Sequence, residues 1–227
     1  MIRNHYIVSC AISVIYLIGC LCFVSVPHAW GFDQQHTHWT TTLKKYQNKL
    51  GFLKYKELKK DTKVNSNHEF NFYLKEIFLV SLSTYNSWKK EEQEAFLINA
   101  YNALTVKLIL ENYPVKSINE IGSILSSPWK KKFFKLLEGQ IESLDPIEHQ
   151  WLRPQFKDYR LHAALNCASF SCPTLRSEAY VASQLNDQLN DQMKKWVNDP
   201  QKNIIDRSGG WRIGDGRDRA IKWVDGF

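Results

Sequence analysis

The sequence predicts an α+β fold: a predominantly α-helical single domain with a small antiparallel sheet. Its 227 residues, 44% of them hydrophobic and 13% aromatic, suffice for one substantial core. Apolar residues recur at helical spacing through most of the chain. Near the C-terminus, apolar residues at 204–205 and 211–213 flank Gly209 and Gly210, a pattern typical of a hairpin. We therefore expect a single globular domain over residues 39–227.

Four amphipathic segments account for the predicted helices. They span residues 39–58, 70–78, 87–111 and 183–197. Ser87 is the expected N-cap of the third, and the Asp199-Pro200 pair is expected to stop the fourth.

The N-terminus has the composition of a targeting segment. Arg3 is followed by an apolar run without a charged residue at 6–26. Small residues at 29–31 suit signal-peptidase cleavage, whereas the residues before Cys20 fit the pattern of a lipid-modified cysteine. We predict that residues 1–31 form a signal peptide or a membrane anchor, and that the protein is exported to the periplasm or cell envelope.

The charge balance favours an anionic partner. Thirty Lys and Arg residues against 23 Asp and Glu give a net charge of +7. Apart from a short run at 130–132 the lysines are scattered, so an exported basic protein is expected to meet a peptide, an amide or an anionic envelope polymer and not nucleic acid. Membrane contact would come through the N-terminal segment if it is retained or lipidated.

Dinucleotide, P-loop and His-Glu-x-x-His motifs do not occur, and we expect no cofactor.

The densest polar cluster lies at 162–173. It reads HAALNCASFSCP, and Glu148 and His149 shortly precede it. Since Cys10, Cys20 and Cys22 fall in the targeting segment, the cluster holds the only cysteine pair of the expected mature domain.

The first functional interpretation is a cysteine-dependent hydrolase or amidase acting on a peptide or amide. Cys167 would be the nucleophile, and His162 the base that takes its proton. Glu148 or Asn166 would orient the imidazole, and Asn99 would stabilise the oxyanion. Polar side chains expected to bind substrate are His149, Asn102, Ser169, Ser171 and Arg153.

Three of these residues, Asn99, Asn102 and Glu148, have a structural alternative to the functional role. Asn99 and Asn102, spaced i, i+3 on the third helix, could instead tie down nearby backbone. Glu148 follows Asp145 at the spacing of a capping box and could cap its own helix.

Two further interpretations remove the free nucleophile. A disulfide between Cys167 and Cys172 would make this a non-catalytic envelope-binding or structural domain. Alternatively, His149, His162, Cys167 and Cys172 could hold zinc, or the thiols could act in redox chemistry. The zinc signal is weak because no close Cys-x-x-Cys pair is present, and we predict no metal. The sequence leaves open whether the protein is an enzyme.

The chain resembles the domain of unknown function 547 family from about Leu43 onward. The resemblance is carried by AFLINAYNALTV at 95–106, YPVKSI at 113–118, LDPIEH at 144–149 and HAALNCASFSCP at 162–173. The family brings no settled activity, so the resemblance supports the domain and points to these four blocks. Family members usually continue beyond a segment similar to 221–227, so the resemblance implies an exported, bacterial-type member with a short C-terminus.

Overall fold

The computed structural model describes residues 31–122, 126–168, 172–200, 202–205 and 211–213. The chain from Phe32 onward belongs to one compact unit. Its helices are α1 (Thr37–Tyr46), α2 (Tyr55–Val64), α3 (Glu69–Leu79), α4 (Leu82–Ser87), α5 (Lys90–Asn112), α6 (Leu144–Pro146), α7 (Arg153–Phe156), α8 (Leu161–Ala164) and α9 (Leu185–Val197). A π-helical turn, Ile147–Leu152, joins α6 to α7, and 3₁₀ turns span Ile118–Ile121, Pro128–Lys130 and Ala182–Gln184.

Helix α5 is the centre of the domain. It is buried on nearly all sides and packs against α2, α3, α6 and the π turn. A helix that is apolar all round can be stable only in such a central position. The third predicted helix is thus confirmed, but it begins after Lys89, whose backbone N–H donates to Glu92 Oε2 at 2.8 Å. Ser87, the predicted N-cap, instead ends α4.

The predicted helix 39–58 is interrupted. Helix α1 ends at Tyr46 and α2 begins at Tyr55. Between them, Asn48 Oδ1 accepts the backbone N–H groups of Leu50 (2.9 Å) and Phe52 (3.0 Å), and Gly51 has φ +81°. An Asn-centred turn followed by a left-handed glycine breaks a helix even where the apolar spacing continues.

The predicted α+β class is wrong: the domain is all-α in the part of the chain described. Helices and their connecting loops form its buried core. Two three-residue strands, β1 (Asn203–Ile205) and β2 (Trp211–Ile213), do pair antiparallel where the hairpin was expected. Among the residues that the structure describes, they pair with no other strand, so they form a two-stranded ribbon that follows α9 in the chain.

The second and fourth predicted helices are confirmed as α3 and α9. The targeting segment at 1–30, with Cys20, lies outside the described residues. Within the described ranges, no helix combines the length and the apolar composition needed to cross a membrane.

Candidate functional site

Cys167 and Cys172 form a disulfide in the predicted site. Their Cα atoms are 6.1 Å apart, within the usual range for bridged cysteines, and both residues are half-buried. A bonded sulfur is not a thiolate, so nucleophilic attack by Cys167 would first require reduction. Ser169 and Ser171, predicted to bind substrate, lie outside the described residues.

Asn99 and Asn102 attach two backbone segments to α5. Asn99 Nδ2 donates to the Tyr180 carbonyl (2.7 Å), and the Tyr180 N–H donates to Asn99 Oδ1 (3.0 Å). Asn102 makes the same double contact with the Ala164 carbonyl (3.0 Å) and the Asn166 N–H (2.9 Å). In each asparagine the amide nitrogen donates to a backbone carbonyl and the amide oxygen accepts a backbone N–H, so the buried side chain is hydrogen-bonded at both polar atoms. The geometry therefore favours the structural alternative for both asparagines.

Asn166 fixes the base of the disulfide loop. Its Nδ2 donates to the Pro173 carbonyl (2.8 Å), and its Oδ1 accepts the Ala168 N–H (2.8 Å). Ala168 has φ +55°, a left-handed conformation that a residue with a Cβ adopts only when its surroundings hold it there. Asn102, Asn166 and the disulfide together provide that support.

Glu148 and His149 lie in the π turn, a rare element that often marks functional sites. Glu148 does not cap its helix, since α6 has Ser143 as its N-cap with no side-chain cap bond, and the Asp145 capping box is not formed. Instead, Glu148 Oε1 accepts from Arg153 Nε (2.9 Å) and Nη2 (2.6 Å). His149 is exposed on the same turn.

His162 joins this ion pair through Arg153. The Nη2 atom of Arg153 is 3.4 Å from Nδ1 of the exposed imidazole. A guanidinium only donates, so Nδ1 is the acceptor and the ring proton of the neutral imidazole is on Nε2. Glu148 therefore orients His162 only indirectly. In this tautomer Nε2 has no lone pair with which to take a thiol proton.

The four ligands of the zinc alternative are not assembled into a site. Two of them, the cysteine sulfurs, are bonded to each other. Among the residues that the structure describes, no group of three His, Cys, Asp or Glu side chains could hold a metal ion.

A buried lysine, Lys202, holds the segment that leaves the disulfide loop. Its Nζ donates to the Cys172 carbonyl (2.7 Å) and to Thr174 Oγ1 (2.6 Å), and Asp199 Oδ2 is 3.9 Å away. The residue is only 7% exposed, and this burial lowers the pKa of the ammonium. Sequence reasoning missed it, because one lysine beyond a helix end carries no local signal of burial.

A cleft of about 570 Å³ opens beside this segment. Its walls are the turn between α1 and α2, the chain after the disulfide, the C-terminal half of α9 and the residues that follow α9. Gln47 Nε2 donates to the Leu175 carbonyl (2.5 Å), and Gln192 Nε2 donates to the Thr174 carbonyl (2.6 Å). These two hydrogen bonds attach the turn and α9 to the chain after the disulfide. We name it the α9 cleft; its lining is Gln47, Asn48, Lys49, Leu50, Gly51, Thr174, Leu175, Arg176, Ser177, Gln192, Lys195, Trp196, Asp199 and Pro200.

Trp196 connects the cleft to the predicted site. It lines the cleft, and its ring centroid is 4.9 Å from that of His162. The structure thus brings together Glu148, Arg153 and His162, and places them next to a cleft that the sequence did not reveal. Asn99 and Asn102 support this region from α5 and are not part of its surface, being 0% and 2% exposed.

A family model described as "Protein of unknown function, DUF547" matches residues 85–197, about half of the chain. The chain belongs to this family. The DUF547 match confirms the resemblance and includes α5, the π turn, the disulfide loop and α9. No curated protein and no solved structure matches the chain. Because the family description assigns no activity, the function has to be argued from the site itself.

Proposed function

We propose that this DUF547 protein is a non-catalytic binding domain of the cell envelope that takes an anionic polymer into the α9 cleft. The cleft itself carries the proposal: it is a concave site, lined mainly by polar groups, beside the disulfide loop. In this function the disulfide shapes the binding surface and takes no part in chemistry.

The charge of the lining supports an anionic ligand. Three cations, Lys49, Arg176 and Lys195, line the cleft together with one carboxylate, Asp199. Arg176 is paired with Glu178 at 2.7 Å, and it shares Asp191 with Lys195, at 2.5 and 2.7 Å, so Lys49 is the lining cation that can pair with a ligand without breaking an ion pair. Exposed Lys49 has no carboxylate partner within the described part of the chain. A cleft concentrates the field of such charges more than a flat surface does.

The hydrolase prediction receives less support from the geometry. The Cys167 sulfur is bonded, His162 directs a lone pair at Arg153, and both amide ends of Asn99 are used by Tyr180. The nucleophile, the base and the oxyanion donor would each have to rearrange before catalysis. A binding function requires none of these changes.

An exported location is part of the same proposal. Disulfides persist in oxidising compartments and are rare where glutathione keeps thiols reduced. The bonded pair Cys167–Cys172 therefore supports the export that the N-terminal composition predicts.

Binding of the full chain to labelled polyglutamate and to polyphosphate tests the function, with uncharged dextran as the neutral control. We expect binding to both polyanions that weakens with rising salt, because Lys49 and Lys195 are exposed to solvent. Lys49→Ala should weaken binding severalfold. Lys131→Ala, the matched control, removes the same charge from an exposed site that does not line the cleft.

Two results would contradict the proposed function. One is equal weakening by Lys131→Ala and Lys49→Ala, which would mean a diffuse charge effect. The other is cleavage of peptide or amide substrates that is lost in Cys167→Ala, which would establish the hydrolase instead.

A further inference from the structure

We infer that the Cys167–Cys172 disulfide controls the α9 cleft, with the buried Lys202 as the positioning residue that connects them. The inference rests on the proposed binding function for its consequence. Its structural part, the response of the cleft wall to reduction, is separate and can be measured without a ligand.

The connection begins at the Lys202 ammonium. It bridges one atom of the disulfide-bonded segment, the Cys172 carbonyl, and one atom of the cleft wall, the Thr174 hydroxyl. An ammonium this deeply buried needs its hydrogen-bond acceptors, because a buried charge without them is costly. The Asp199 carboxylate, 3.9 Å away, is too distant to replace either acceptor without movement.

Thr174 carries the effect into the cleft. Its methyl group packs so closely on Gly51 that a Cβ at that position would overlap it. Its hydroxyl accepts from Lys202, so the side chain is fixed at both branches. A threonine has few χ1 rotamers, so loss of the hydroxyl contact allows a discrete change that moves the methyl group off Gly51. Both residues line the cleft.

Reduction by a dithiol starts this change. The reductant gives two electrons and two protons; the S–S bond breaks, each cysteine sulfur becomes a thiol, and the reductant becomes a disulfide. Cys172 then loses its covalent attachment to Cys167. The Asn166 bond to the Pro173 carbonyl holds the next residue, but the Cys172 carbonyl is free to leave Lys202.

Hydrogen exchange of the ligand-free full chain tests the connection, with and without dithiothreitol and with alkylation mass spectrometry to verify reduction. In wild type we expect reduction to speed exchange at Gly51 and Phe52, whose N–H groups donate to Asn48 in the turn on which the Thr174 methyl packs. Lys202→Met should show fast exchange already when oxidised, with little further change on reduction. Thr174→Val, which keeps the shape and removes the hydroxyl, should behave like Lys202→Met. Lys195→Met, a matched lysine on the cleft wall, should keep the wild-type response.

Polyglutamate binding gives the functional readout. We expect affinity to fall about fivefold to tenfold on reduction in wild type, a typical size for coupling between two sites, and to be insensitive to reduction in Lys202→Met. Unchanged exchange in reduced wild type, or an undiminished response in Lys202→Met, would overturn the inference. If exchange responds as expected but no polyanion binds in either state, the connection stands and the proposed function is wrong.

Discussion

Replacing Asn102 by alanine should destabilise the domain strongly, because this one amide attaches the disulfide loop to α5. The side chain is 2% exposed and satisfies two backbone groups, the Ala164 carbonyl and the Asn166 N–H. Asn102→Ala leaves both without a partner, and an unsatisfied buried polar group costs about 1–3 kcal/mol. Asn166 is only half-buried, so water can partly compensate its N–H. We therefore expect a loss of about 2–4 kcal/mol in the free energy of unfolding.

Urea denaturation followed by circular dichroism measures this loss as a lower midpoint at unchanged slope. The matched control is Asn112→Ala, at the end of the same helix. Asn112 is half-buried and donates only to the Leu108 carbonyl of its own helix, so its replacement should cost less than about 1 kcal/mol. If Asn102→Ala costs no more than Asn112→Ala, the attachment of the loop to α5 is not what stabilises this region.

Three further predictions concern pH and redox state. Burial lowers the pKa of His36 to about 3, so its stabilising contribution is complete above pH 6.5 and is lost as the pH falls towards 3. In pH-dependent denaturation, the slope of the wild type in this range should exceed that of His36→Gln by up to about 1.4 kcal/mol per pH unit, and equal slopes would disprove the shift. Burial raises the pKa of the Glu94 carboxyl to about 7, so its contribution to the free energy of unfolding is present below pH 4.5 and is lost as the pH rises through 7. Glu94→Gln should remove this loss of stability, and an unchanged dependence of stability on pH would disprove the shift. Reduction of the Cys167–Cys172 disulfide should lower the free energy of unfolding by about 2 kcal/mol, the value that the chain-entropy model gives for so short a loop. In the double variant Cys167→Ser, Cys172→Ser, the free energy of unfolding should not change when reductant is added.

Local patterns account for what the sequence predicted correctly. The spacing of apolar residues identifies α3, α5 and α9, because each buries a stripe or a whole surface along consecutive turns. The same spacing runs across 47–54 without a break, so it could not reveal that Asn48 and Gly51 turn the chain there. The hairpin signal was also local: it indicates that β1 and β2 pair, and says nothing about whether further strands join them.

The candidate site, like the fold, was predictable only where residue types close together in the sequence indicate it. Reactive residue types concentrated at 148–172 identified Glu148, His162 and the cysteine pair. The cleft next to them depends on contacts between distant parts of the chain, such as the bond from Gln47 to Leu175 across 128 positions. Neither residue type nor periodicity encodes such a contact. Lys202 was missed for the same reason, since only the folded chain shows that it is buried.

The α9 cleft belongs to the whole domain and not to its family-matched part alone. Residues 85–197 supply α9 and the chain after the disulfide, but the turn at 47–51 and Lys202 lie outside the match. The helices before residue 85 also bury large aromatic side chains, including Trp39 and Tyr73, at 1% and 0% exposure. A fragment limited to 85–197 would therefore lose a cleft wall and expose the core surface that these aromatics cover. Binding of a polyanion by such a fragment at wild-type affinity would mean that the ligand lies on another surface of residues 85–197 and not in the α9 cleft.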